Sequence, residues 1–160
     1  MNFEGQANAM DQSQQSACSG ADREWTPNIV AFCCNWCAYA GADLAGINRR
    51  QYDPHIRVLR VMCSGRVSSG MVLQAFVSGA DGVMVLGCHP GDCHYHIGNK
   101  YAEKRVEQVH ELMALAGIDP SRLLLQWISA SEGELFGRTV DGFVAHIRRL
   151  GRLAGDGCDR

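Results

Sequence analysis

Several absences narrow what this chain can be. No apolar run approaches the length that a bilayer span requires, and the amino terminus lacks the basic start and hydrophobic centre of a secretion signal. Neither sign of charge dominates: 15 Lys and Arg stand against 17 Asp and Glu, a formal net charge of −2. With no basic stripe to follow a phosphate backbone, nucleic acid is not expected as the main partner. There is no Gly-x-Gly-x-x-Gly and no Gly-x4-Gly-Lys-Ser/Thr, so the common nucleotide loops are missing. No Ser, His and Asp stand in a recognisable nucleophile context. Neither membrane insertion nor export is expected, and the expected location is the cytoplasm.

What the chain does have is cysteine, eight in 160 residues. In a cytoplasmic protein such residues are more often metal ligands or redox groups than disulfides. The even count also admits a disulfide framework, but a domain of this size needs no staples. Six of the eight close three short apolar runs. Cys33, Cys34 and Cys37 follow Ile29–Phe32, Cys63 follows Ile56–Met62, and Cys88 and Cys93 follow Val83–Gly87.

Those runs belong to an alternating strand and helix pattern. The first strand leads to Cys33, and a helix rich in small residues spans Ala38 to Asn48. The second strand runs to Cys63. Ser68 or Ser69 caps a helix through Ala80 with Val72, Leu73, Phe76 and Val77 inward. The third strand is Gly82 to Leu86. Asn99 is expected to cap a helix in which Ala102, Val106, Val109, Met113 and Ala116 recur at helical spacing, ended by Gly117. The fourth strand is Leu123 to Ile128. Ser131-x-x-Glu134 reads as a capping box for a last helix with Leu135, Phe136, Val140, Phe143, Val144, Ile147 and Leu150 inward. Residues 1–24 read as a disordered extension, 25–151 as the folded domain and 152–160 as a flexible tail, which sets Cys18 and Cys158 aside.

Four βα units in succession imply right-handed crossovers and an α/β fold of the Rossmann or flavodoxin kind. Its four-stranded parallel sheet is flanked by helices. Functional groups in such sheets collect beyond the carboxyl strand ends, which is where the cysteines fall. The close pairs Cys34-x-x-Cys37 and Cys88-x4-Cys93 suit a 2Fe–2S cluster or a tetrahedral Zn²⁺. Cys33 and Cys34 point to opposite sides if the strand persists, and Cys34 is the favoured ligand. Cys63 either replaces one of the four or lies just outside. A dithiol oxidoreductase using Cys34 and Cys37 is a third possibility. Buried thiolates need donors and cations; Gly41, Gly65, Gly87 and Gly91 offer backbone N–H groups and Arg66 a fixed charge. His89, His94 and His96 read as neighbours of the site. Trp36, Tyr39 and Tyr95 either line a docking surface or shield the site from water.

Three stretches carry a family resemblance: Phe32-Cys33-Cys34-Asn35-Trp36-Cys37-Ala38-Tyr39-Ala40-Gly41-Ala42-Asp43, Val61-Met62-Cys63-Ser64-Gly65-Arg66-Val67, and Gly82–Gly87 followed by Cys88-His89-Pro90-Gly91-Asp92-Cys93-His94-Tyr95. In this order, continuing through Gly98-Asn99, they resemble the delta subunit of methyl-viologen-reducing hydrogenase. The likeness spans roughly residues 27–150. It implies a 2Fe–2S cluster and no substrate chemistry. It also implies a cytoplasmic electron relay connecting a hydrogenase or formate dehydrogenase to the flavin-containing subunit of heterodisulfide reductase. All six cysteines are motif residues in that resemblance, which leaves open which four bind iron.

Overall fold

A computed structural model describes residues 25–153. The expectations for residues 1–24 and for the tail beyond residue 153 lie outside the described residues. Strands β1 (Ile29–Cys34), β2 (Ile56–Val61), β3 (Gly82–Gly87) and β4 (Leu123–Trp127) form one parallel sheet in the order β2-β1-β3-β4. Helices α1 (Ala38–Ile47), α2 (Ser69–Val77), α3 (Gly98–Leu115) and α4 (Gly133–Leu150) connect and flank the strands. This is the α/β architecture read from the sequence, and no helix among the described residues is long and apolar enough to cross a membrane.

Strand chemistry explains the order. Every residue of β3 is buried, as expected of an interior strand covered on both faces. At the edge, β2 alternates and exposes Arg57, Leu59 and Arg60. Arginines there discourage pairing with a foreign strand. One face of the sheet packs Ile29, Ala31, Met84 and Leu86 against α1 and α4 residues such as Ala38, Phe136, Val140 and Ile147. The other packs Phe32, Val83 and Val85 against Val72, Phe76, Val106 and Val109 of α2 and α3.

The small residues of α1 allow α4 to come very close. A Cβ on Gly133 would lie 2.7 Å from the Ala45 backbone nitrogen. Such approach is available only to glycine.

Four local expectations need correction. Asn99 does not cap α3, which starts one residue earlier with Ile97 in the cap position; the Asn99 side chain is used elsewhere. The Ser131–Glu134 box does not form. Instead Glu132 Oε2 accepts from the Ser129 N–H at 2.7 Å, two residues before the expected pair and without the reciprocal side-chain bond, and α4 opens at Gly133. Val77 is 69% exposed, because α2 docks through Val72 and Phe76, and the Leu73–Val77 stripe lies at the margin of that contact. Ala116 likewise falls past the end of α3 and is exposed. Ser68 does cap α2, its side chain accepting from the Met71 N–H at 3.2 Å.

A buried arginine ties off the end of α4. Arg122 donates to the carbonyls of Asp81 (3.0 Å), Gly151 (2.9 Å), Leu150 (3.3 Å) and Arg152 (3.4 Å). Arg122→Met leaves those carbonyls without their charged donor and should cost about 2–3 kcal/mol in urea unfolding. Asp53 links the α1–β2 connection to α4. Burial raises its carboxyl, but hydrogen bonds from the His55 backbone and ring and the nearby Arg148 guanidinium outweigh that and hold it below its usual value. A depressed carboxyl contributes stability above the unfolded pKa of about 3.9 and loses it as pH falls through the lower folded value. The thermal deficit of Asp53→Asn at neutral pH should therefore shrink as pH falls from about 4 to 2.

Candidate metal centre

The strand order reverses between β1 and β3, which is the switch point where α/β sheets place their sites. Cys34 is the last residue of β1 and Cys88 the first after β3. The turn Asn35–Cys37 folds back at once, with the Cys37 N–H on the Cys34 carbonyl at 3.4 Å. The sulfurs of Cys34, Cys37 and Cys88 consequently lie within 4.8 Å of one another. Those of Cys34 and Cys88 are 3.7 Å apart. Two thiolates bonded at about 2.3 Å to one tetrahedral metal stand about 3.8 Å apart. The donor set therefore fits a metal–thiolate group as it stands.

Cys63 and Cys93 form a second part. Their sulfurs both rest on Gly98, the first residue of α3. A Cβ there would overlap Cys63 Sγ and come within 3.2 Å of Cys93 Sγ. Glycine is thus required for α3 to begin where two thiols already sit. Cys33 is not brought to this place. It is fully buried within the sheet core, on the far side of the alternation from Cys34.

Ionisation follows contact. Hydrogen bonding from the Cys37 thiol, together with the Trp36 N–H, the Cys88 thiol and the Ser64 N–H, outweighs burial and pulls Cys34 down to about 5. The same bond pushes Cys37 well up, and burial adds to it. Burial raises Cys88 and Cys63, and drives Cys33 up to about 12. One thiolate is held by neighbouring thiols and amides, which is the arrangement a cation completes by displacing the remaining protons.

Of the donors the sequence suggested, the Gly65 N–H faces Cys63, whereas the Gly41 N–H is spent on the Cys37 backbone carbonyl at 2.8 Å and does not reach a sulfur. Gly91 takes a left-handed turn (φ 96°) in the loop between Cys88 and Cys93, and Arg66 lines a cleft beside Cys63. Sequence reading missed the N–H groups of Trp36, Ser64 and His94. Backbone direction in a loop leaves no signature in residue type. Cys37 also caps α1, so a positive helix end reaches the sulfurs.

An aromatic clasp ties the two main loops. The Trp36 ring stacks on His94 with centroids 3.8 Å apart and planes 13° from parallel. Its Nε1 donates to the Tyr95 hydroxyl at 3.3 Å. His89 turns away from the sulfurs to meet Glu132 at 2.7 Å. The histidines are thus neighbours of the thiols, each with a partner of its own or a place in the loop.

Replacing Cys34, Cys37 or Cys88 with Ala should each reduce bound metal by more than the roughly tenfold that loss of an outer hydrogen-bond partner costs. Cys33→Ala should leave metal content at the parental level. Elemental analysis of the purified variants checks both statements.

Comparison with known proteins points the same way. The profile of the family described as "Methyl-viologen-reducing hydrogenase, delta subunit" matches residues 29–151. The chain is 50% identical over 127 residues to the iron-sulfur subunit of the F420-non-reducing hydrogenase vhc from Methanococcus voltae, covering 79% of this chain and 88% of that one. It is 51% identical over 128 residues to the iron-sulfur subunit of the F420-non-reducing hydrogenase from Archaeoglobus profundus, covering 80% and 93%. It is also 46% identical over 136 residues to one polypeptide of the ferredoxin:CoB-CoM heterodisulfide reductase from Methanosarcina mazei, covering 85% of this chain but only 17% of that protein. With the profile spanning the sheet, the cysteine loops and the flanking helices, this chain belongs to the family of the delta subunit of methyl-viologen-reducing hydrogenase.

Proposed function

We propose that this protein is an iron–sulfur electron carrier, a non-catalytic subunit of a cytoplasmic oxidoreductase complex. Its cluster would be of the 2Fe–2S kind, held by Cys34, Cys37 and Cys88 with Cys93 or Cys63 completing the set. The observation that carries this reading is the convergence of three sulfurs within 4.8 Å at the switch point of the sheet. The iron–sulfur subunits among its relatives support the choice of iron over zinc. When bound, such a cluster supplies one-electron transfer at a potential set by hydrogen bonds and burial. The chain's own residues hold the sulfurs, direct N–H groups at them and keep bulk water away.

The proposed partners are a hydrogenase or formate dehydrogenase subunit on one side and a heterodisulfide-reductase-like flavin subunit on the other. The surface beside the thiols supports docking. An open cleft of about 510 Å³ is lined by Met62, Cys63, Arg66, Tyr95, Ile97 and Tyr101. Its apolar members are roughly half exposed: Met62 56%, Tyr95 44%, Ile97 48% and Tyr101 52%. Aromatic and Met side chains of this kind are enriched at protein interfaces. Residues 54–80 contain Arg57, Arg60 and Arg66 but no Asp or Glu. None of these arginines forms an ion pair among the described residues, so an acidic counter-surface suits the face. In the Methanosarcina mazei relative the matching segment is part of a heterodisulfide reductase polypeptide itself, which favours the heterodisulfide-reductase-like protein as the immediate neighbour.

Protein purified without air should be brown and contain iron and acid-labile sulfide in equal amounts, about two of each per chain. One-electron reduction should give an S = 1/2 paramagnetic resonance signal. Colourless protein with stoichiometric zinc after iron-replete expression would instead establish a structural adaptor. Metal-free protein with a readily exchanging Cys34/Cys37 pair would establish a dithiol oxidoreductase.

A further inference from the structure

We propose that Asn99 is a positioning residue of the metal centre: its side-chain amide fixes the chain that leaves Cys88 and so holds the Cys88 sulfur against those of Cys34 and Cys37. This rests on the thiolate site described above, though not on which metal occupies it.

Asn99 is 2% exposed, although it lies in the first turn of α3. Its Nδ2 donates to the His89 carbonyl at 2.9 Å and to the Cys88 carbonyl at 3.3 Å. Its Oδ1 accepts from the Lys100 N–H at 2.9 Å. Carbonyls of successive residues in a strand point in opposite directions. Here two successive carbonyls converge on one nitrogen, so the chain turns sharply directly after Cys88 and is held in that turn. Because the peptide is planar and trans, fixing the Cys88 carbonyl also fixes the His89 N–H on the opposite side.

The residue type is specific to the task. A primary amide of this length offers two N–H groups to two carbonyls and still presents an acceptor to Lys100. An aspartate has the same shape but sets lone pairs against both carbonyl oxygens. The loop is also anchored by the His89–Glu132 contact at 2.7 Å, which approaches from the start of α4, and further along by the aromatic clasp on Trp36. The first two residues of α3 therefore serve the whole site. Gly98 seats Cys63 and Cys93, and Asn99 grips the backbone of Cys88.

Cobalt(II) reads this directly, because its ligand-field and thiolate charge-transfer bands report how sulfurs surround the ion. The metal-free full chain, Asn99→Ala and Asn99→Asp would be titrated with Co²⁺ without air, and their unfolding midpoints measured alongside. Asn99→Asp keeps the volume and the Lys100 contact but replaces the two donated N–H bonds by repulsion, so it probes the same two carbonyls if the alanine variant folds poorly. The proposal expects Co²⁺ affinity to fall about 10- to 100-fold, with displaced ligand-field bands, in a variant that remains folded. Iron-loaded variants should show shifted resonance g-values and a shifted reduction potential. Parental affinity and bands in a folded variant, with only the unfolding midpoint lowered, would overturn it, as would loss of fold in both variants. A parent chain that binds Co²⁺ at these thiols yet never holds iron and sulfide would sink the electron-carrier reading and leave the role of Asn99 standing.

Discussion

Crowding acidic thiols into a buried space is the constraint on which this molecule turns. Thiolates repel one another, and burial penalises each charge that is not compensated. The protein meets this with shared protons, loop amides and helix ends. Cys34 becomes the preferred anion because Cys37, Cys88 and the N–H groups of Trp36 and Ser64 all point at it. Its neighbours stay protonated, held up by that same bond and by burial. The preference belongs to the group rather than to any one cysteine. A bound cation resolves the conflict by replacing protons with positive charge.

The fold exists to make that crowding possible. Right-handed crossovers place α1 and α4 on one face and α2 and α3 on the other, with the reversal between β1 and β3. Two strands that diverge in connection stay adjacent in space, so Cys34 and Cys88 meet although 54 residues separate them. Gly98 then lets α3 begin against Cys63 and Cys93. The aromatic clasp of Trp36, His94 and Tyr95 spans the loops while remaining partly exposed. Partly exposed rings beside the sulfurs would suit the proposed electron carrier.

Much of this was legible in the residues. Four apolar runs with helical spacing between them specify the parallel sheet, and the period of two separates Cys33 from Cys34. The position of five cysteines at or just after the ends of three strands already places them at one edge. The Asn99 cap and the Ser131–Glu134 box failed for a common reason. Asn99 and Ser131 have side chains suited to a helix start, and rules for caps consider only the local chain. The Asn99 amide is claimed by the carbonyls of Cys88 and His89, and at the start of α4 the Ser129 N–H is met by Glu132, which also contacts His89. The margin of α2 at Val77 failed because helical spacing marks a stripe without showing how far the neighbouring helix covers it. The division of the cysteines into three plus two depends on loop turns and on Gly98, which residue type alone does not encode.

The central claim is geometric, that one inorganic group sits among sulfurs delivered by three separate loops. Anomalous diffraction at the iron absorption edge, from crystals grown without air, tests it most directly. The account predicts iron density enclosed by the sulfurs of Cys34, Cys37 and Cys88, with Cys63 and Cys93 alongside and Cys33 outside. Iron found away from these sulfurs, or crystals in which Cys34, Cys37 and Cys88 point apart with no metal between them, would contradict it.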